Sequence, residues 1–420
     1  MKTAKMLFGI LLAGTTTAQA HATCPLSNDL EMYVNSSLYL TTPAIGINSD
    51  LKNGSLRMYT RLLAPFDASK DTLLIINGGP GGDHSIVEEF KDLSSNMNVI
   101  GFDHRGLGCT QITSRLDSGY YPGLYSMERA ADDLDALRRK LLGDEGKWWV
   151  YGVSYGGMLG QKYVIKYPQH IHGVILDSTF HRSTAIDVGR QQYKSLFIDH
   201  DPEVKALYED IVTKYPDAKE SLLWTMWGYT YSYNGRLSEL KAFFGQILDA
   251  PTSDEARRIY ETPVESGPIS GMMYDILCSE IWDYPQSSDH SYYFAEFIPN
   301  CERYKKTSTP MNWAEDLRKL PVRTLIWAGA FDPVTPSSVM QEMHSLIPNS
   351  LLYENSQAGH GLWWEKPECA RSLLRQFVSG ANDVTINATA ASILCQSPPD
   401  QQTESLRRWE HITGQKTPSF

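Results

Sequence analysis

A serine set between glycines, Gly152-Val153-Ser154-Tyr155-Gly156, follows the apolar run "KWWVYG" and precedes a helix-forming segment. A strand-to-helix turn of this G-x-S-x-G kind lifts the hydroxyl clear of the backbone, and the glycines remove Cβ atoms that would clash in so tight a turn. Serine alone is a weak nucleophile; it needs a base to take its proton and an acid to orient that base. In this setting the expected chain order is serine, acid, histidine. Asp332 in "WAGAFDPVTP" and His360 in "ENSQAGHGLWW" follow in that order, 28 residues apart. Asp177, after an earlier strand, is the competing acid. His84 and His104 lie on loops near the expected site but precede the serine, and His344 and His411 read as surface or packing residues. The chemistry implied is acyl transfer through a covalent acyl-serine.

Acyl transfer also needs donors for the developing oxyanion. "INGGPGG", Ile76 to Gly82, runs from a buried strand into a glycine-rich turn. Its Gly79 amide, with Gly78 beside it, is expected to pair with the amide of Tyr155 at the helix N-terminus. A phosphate-binding loop is disfavoured, because no Gly-Lys-Ser/Thr follows and no acid stands at ribose-binding spacing. No C-x-x-C pair occurs and no histidine sits at ligand spacing from a cysteine, so neither metal nor cofactor is called for.

These residues must be held by strands and helices in alternation. "SLRMYTRLLAP", "DTLLIINGGPGG", "MNVIGFDHRGLG", "KWWVYG", "HGVILDST" and "VRTLIWAGAFD" read as strands, most of them continuous apolar runs. In "SMERAADDLDALRRKLLG", Met127, Ala130, Ala131, Leu134, Leu137 and Leu141 share a helical face, with early acids, late Arg-Arg-Lys and Gly143 as a stop. Ser154 to Tyr167 reads as the next helix, ended by Pro168. The expected fold class is α/β: a mostly parallel sheet covered by helices on both faces. Between about Phe180 and Leu320 the pattern changes to helical stretches crowded with aromatics such as Trp224, Trp227 and Trp282. The expected domains are a signal peptide at 1–20, a first part of the core at 21–180, a helical cap at 181–320 and a second part of the core at 321–420.

The chain has 420 residues, enough for a large core. Its net charge of −11 argues against a nucleic-acid partner. "MKTAKMLFGILLAGTTTAQA" has the layout of a cleavable secretory signal, and Ala20 or Ala22 suits cleavage. Its apolar core is too short to span a bilayer, and no later segment is long enough. The expectation is a soluble protein that is secreted or periplasmic. Six cysteines, an even number, fit that compartment and allow 15 pairings. Their grouping favours Cys278–Cys301 and Cys369–Cys395, leaving Cys24–Cys109.

The motifs "NGGPGG", "GFDHRGLG", "GVSYGG" and "GAFDPVTP…AGHG" together resemble α/β-hydrolases of the proline iminopeptidase and tripeptidyl aminopeptidase group of serine peptidases. The iminopeptidase branch has histidine where this chain has Asn77, which puts strict proline specificity in doubt. It has glutamine at the position of His104, between Asp103 and Arg105, a trio read as structural support. The resemblance implies a serine exopeptidase that accepts peptides with a free N-terminus and binds the ammonium through a cap carboxylate, for which Glu280 is the candidate. Two other readings remain open: a carboxylesterase or lipase using the same three residues, and a hydrolase fold that binds without catalysis.

Overall fold

The computed structural model describes residues 37–43, 55–112, 125–185, 201–218, 233–260, 276–281, 311–332, 334–356 and 358–392, with Cys395 and isolated positions between 188 and 222. The N-terminal segment 1–20, Cys24, Cys301, Trp224, Trp227 and Trp282 lie outside them. Among the described residues nine strands build one sheet: β1 (Ser37–Pro43), β2 (Ser55–Leu62), β3 (Thr72–Ile76), β4 (Asn98–Phe102), β5 (Gln111–Ile112), β6 (Trp148–Val153), β7 (Ile171–Asp177), β8 (Thr324–Gly329) and β9 (Ser350–Asn355). Their order is β1-β2-β4-β3-β6-β7-β8-β9, with β5 on β2. From β4 across to β9 every pairing is parallel; β1, β2 and β5 make the antiparallel margin. The α/β fold expected from the strand pattern is the one observed.

Every residue of β3, β4, β6 and β8 is buried. These strands are apolar throughout because helices cover both faces. Alternation along these strands and β7 sends Leu74, Ile76, Trp148, Val150, Leu176 and Ile326 into one apolar layer. Leu73, Ile75, Trp149, Tyr151, Ile175 and Leu325 enter the other. Each such side chain contributes roughly 2 kcal/mol on burial. The first layer is closed by α1 (Met127–Leu142) and α2 (Tyr155–Lys166). Ser126 caps α1 by accepting the Arg129 amide at 3.3 Å, and Gly143 ends it at φ 77°. Of the expected apolar face, Met127 to Leu137 is buried and Leu141 is half-buried.

After β7 the chain runs into α3 (Pro202–Lys214), α4 (Tyr233–Leu248) and α5 (Ser253–Tyr260), which share a separate apolar cluster spanning Ile198 to Tyr260. Phe331 and Val334, on either side of Asp332, pack against this cluster. The outgoing and returning segments are stitched together: Ser183 N–H donates to the Met311 carbonyl at 2.8 Å and Trp313 N–H to the His181 carbonyl at 3.0 Å. Phe180, Ala185, Ile276, Leu277, Ile281 and Met311 belong to the sheet's own core, so the insertion's ends pack with the sheet rather than with the helices between them. The short α6 (Ala314–Leu317) precedes β8, α7 (Ser337–Leu346) joins β8 to β9, and α8 (Leu362–Glu365), α9 (Pro367–Val378) and α10 (Asp383–Ala390) follow.

Cys369 and Cys395 are bonded, as their grouping suggested. Cys109 and Cys278 are also in disulfides; their expected partners, Cys24 and Cys301, lie outside the described residues. Among the described residues no helix is long and apolar enough to cross a membrane.

Candidate active site

Parallel strands end at one edge of the sheet, and the chemistry-bearing residues sit just past those ends. Ser154 follows β6 with φ 56° and ψ −123° and stands at the N-cap position of α2 without a side-chain capping bond. Two glycines make the turn possible: a Cβ on Gly152 would lie 2.3 Å from the Gly156 carbonyl oxygen, and one on Gly156 only 2.1 Å from that of Ile76. No side chain fits at either place. The hydroxyl is left partly exposed, and Ser154 N–H donates to the Asp177 carbonyl at 2.9 Å.

Asp332, beyond β8, is fully buried, and His360, beyond β9, is 2% exposed. Their side chains meet, Nδ1 to Oδ2, at 2.8 Å. Oδ1 of Asp332 accepts the amides of Val334 and Thr335, each at 2.8 Å. Thr335 Oγ1 donates to Oδ2 and lies 3.2 Å from the imidazole Nδ1. An ionised carboxylate only accepts, so this arrangement puts the ring proton on Nδ1 and makes Nε2 the basic nitrogen. Thr335 was not singled out from sequence, although a hydroxyl three residues after an aspartate is a recognisable turn spacing. A Cβ on Gly329 would lie 2.0 Å from the Gly359 carbonyl oxygen, which shows how closely the histidine loop lies on the end of β8.

The competing acid, Asp177, is fully buried but bonds elsewhere. Its carboxylate accepts from the amides of Leu362 (2.9 Å) and Trp363 (3.1 Å) and from the Tyr151 hydroxyl (2.8 Å). Burial raises its carboxyl pKa against the pull of these hydrogen bonds.

The glycine-rich turn lies over the serine. An ideal Cβ on Gly78 would be 3.2 Å from Ser154 Cβ and 3.8 Å from its Oγ. The Gly78 amide, expected among the oxyanion donors, is engaged instead by Asn77 Oδ1 at 2.8 Å, because the asparagine folds its amide back across the turn and also donates to the Asp83 carbonyl at 2.9 Å. Gly78 is thereby left a steric part. Gly79 has φ 124°, open only to glycine, and a Cβ there would meet Gly81 N at 2.3 Å. The Tyr155 amide lies in the first turn of α2, where no intrahelical acceptor exists.

Asp103, His104 and Arg105 each reach a different element around the site. Buried Asp103 accepts His84 N–H and His84 Nδ1, both at 2.8 Å, and the Cys109 amide at 2.7 Å. Burial opposes charge on His84, but the hydrogen bond and charge of Asp103 outweigh it and raise its pKa. Arg105 forks onto buried Asp133 at 2.5 and 2.7 Å. His104 is buried beside Tyr155, ring centroids 5.4 Å apart, and burial pushes its pKa down to about 4. Glu280 is half-buried; its Oε2 accepts the Met127 amide at 2.9 Å, and its charge adds to burial in raising the Tyr155 phenol well above the usual value. It therefore lies near the residue that follows the serine. Among the described residues no group of three metal-ligating side chains occurs.

Comparison with known proteins agrees with this architecture. The family model for the alpha/beta hydrolase fold matches residues 71–367. The chain is 33% identical over 328 residues to a proline iminopeptidase of Pestalotiopsis fici, covering 77% of this chain and 96% of that protein. It is 24% identical over 320 residues to a proline iminopeptidase of Thermoplasma volcanium, covering 74% and 89%. The crystal structure of a Mycobacterium smegmatis proline iminopeptidase superposes with a TM-score of 0.52 at 18% identity, covering 82% of this chain and 98% of that one, a likeness of fold. The chain belongs to the α/β-hydrolase fold family and is a hydrolase of the proline iminopeptidase type.

Proposed function

We propose that this protein is a serine aminopeptidase that cleaves peptide bonds near a free N-terminus through an acyl-enzyme on Ser154. The observation that carries the reading is the 2.8 Å contact of Asp332 with His360 Nδ1, together with a serine held in a strained turn two strands away in the same sheet. In this scheme His360 Nε2 takes the Ser154 proton as Oγ attacks the scissile carbonyl. The oxyanion is received by the amides of Tyr155 and Gly79, each such donor being worth about 3 kcal/mol in the transition state. The same imidazole then protonates the departing amine, and water releases the acyl group by the reverse path.

Relatives named as proline iminopeptidases favour removal of single N-terminal residues, prolyl ones included. Glu280 is the proposed partner of the substrate ammonium: one oxygen accepts the Met127 amide, and its charge acts on Tyr155. The signal-like segment 1–20 and the cysteine usage favour an enzyme that is secreted or periplasmic. The test compares aminoacyl arylamides with free and Nα-acylated termini. Free forms are expected to be cleaved and blocked forms to resist; equal rates would overturn the aminopeptidase reading in favour of an esterase or endopeptidase. N-terminal sequencing of the protein purified from whole cells and medium should begin at His21 or Thr23, and recovery only inside the cell with Met1 uncleaved would overturn the export proposal.

A further inference from the structure

An imidazole oriented by one acid is useful only if its loop is also held at the right distance from the serine. Among the described residues, Asp177 does both halves of this. Its main-chain oxygen accepts Ser154 N–H at 2.9 Å, directly at the nucleophile. Its carboxylate, fully buried, accepts the amides of Leu362 and Trp363, two and three residues after His360. Ser178 completes the arrangement: its hydroxyl accepts the Gly361 amide at 2.8 Å and donates to Asp177 Oδ1 at 3.0 Å. Three successive amides after the histidine are thus received by two successive residues at the end of β7.

The backbone at Ser178 carries a second sign. Its φ of 47° is positive, and the other described non-glycine residue with positive φ is Ser154 itself. A serine holds such a conformation only where its surroundings over-determine it. Here the conformation puts the hydroxyl between the carboxylate and the histidine loop. A plain turn at this point would be satisfied by glycine. Tyr151, from β6, donates its hydroxyl to the same carboxylate at 2.8 Å, so the strand that carries the serine also steadies the clamp.

We propose that Asp177 and Ser178 are positioning residues that set His360 relative to Ser154, a second buried carboxylate acting on the base's place rather than on its proton. The proposal rests on the reading of Ser154 and His360 as nucleophile and base. Ser178→Gly tests it, because glycine accepts the positive φ and only the hydroxyl is lost. The melting temperature is expected to stay level or rise. Turnover on a free aminoacyl arylamide and the rate of fluorophosphonate labelling of Ser154 are both expected to fall by on the order of tenfold to a hundredfold, with KM little changed, as a misplaced catalytic group costs rate rather than binding. Asp177→Asn, which sets an amide donor against the loop's N–H groups, is expected to cost more in both rates. Wild-type turnover and labelling in a stable Ser178→Gly protein would overturn the positioning role and leave the nucleophile reading intact. A wild-type enzyme that takes no label on Ser154 would instead overturn the reading beneath it, and the proposal with it.

Discussion

Ser154 holds a backbone conformation that costs an L-residue on the order of 1–3 kcal/mol. Ser154→Gly should therefore raise stability by about 1 kcal/mol or more while lowering turnover by more than about a thousandfold. Denaturant melts and arylamide hydrolysis measure the two; a variant no more stable than wild type would mean that the turn is not strained. Thr335 is a smaller case of the same economy. Its hydroxyl supports Asp332 beside His360, and a hydrogen bond to a charged group is worth roughly 1.5–3 kcal/mol. Thr335→Val should lower kcat by about tenfold or more with KM unchanged; unaffected kcat would reduce Thr335 to a packing residue. The serine, the aspartate and the histidine were visible in the sequence because each carries its own local context of glycines or strand end. Thr335 and Ser178 were not, since a hydroxyl near a turn is common and its partner is invisible until the chain folds.

Elements with a strong period were legible. The apolar face at Met127 to Leu137 and the continuous runs of β3, β4, β6 and β8 are signals that packing only reinforces. β1, "SLYLTTP", and β9, "SLLYEN", carry a weaker signal, three apolar or aromatic residues in a row at the margins of the sheet, and β9 is only partly buried. His84, expected on a loop, instead opens the helix His84–Leu93, capped by the Asp83 side chain accepting the Ser85 amide. That histidine now supports a pH prediction. Its folded pKa is raised above the ordinary 6.5, so the stability it adds is fully present below that value and is lost as pH rises through the folded pKa. The melting temperature lost by His84→Asn should be larger at about pH 5.5 than at about pH 9. An equal or reversed difference would show that the Asp103 pair is not charged.

The whole molecule combines a sheet with two apolar layers and a helical insertion that has a core of its own. Its far end is tied back by Cys369–Cys395, a closure of 26 residues, with the Cys395 carbonyl also accepting from Tyr353 and Asn355 at 2.9 Å each. Replacing both cysteines by alanine should cost roughly 3.5 kcal/mol through the unfolded chain's added freedom. A fall in melting temperature of a few degrees measures it, and no fall would assign the holding of this end to the Tyr353 and Asn355 contacts. By itself the sequence determined the fold class, the strand-turn-helix about Ser154 and the order serine, acid, histidine, because these follow from local periodicity, glycine sterics and chain order. Only the tertiary structure decided the separate tasks of the two buried aspartates. Asp332 and Asp177 both follow or end apolar strands, and although the motifs favour Asp332, they do not show what each carboxylate holds. The packing of β7, β8 and β9 does, since it brings His360 onto Asp332 and the amides after His360 onto Asp177.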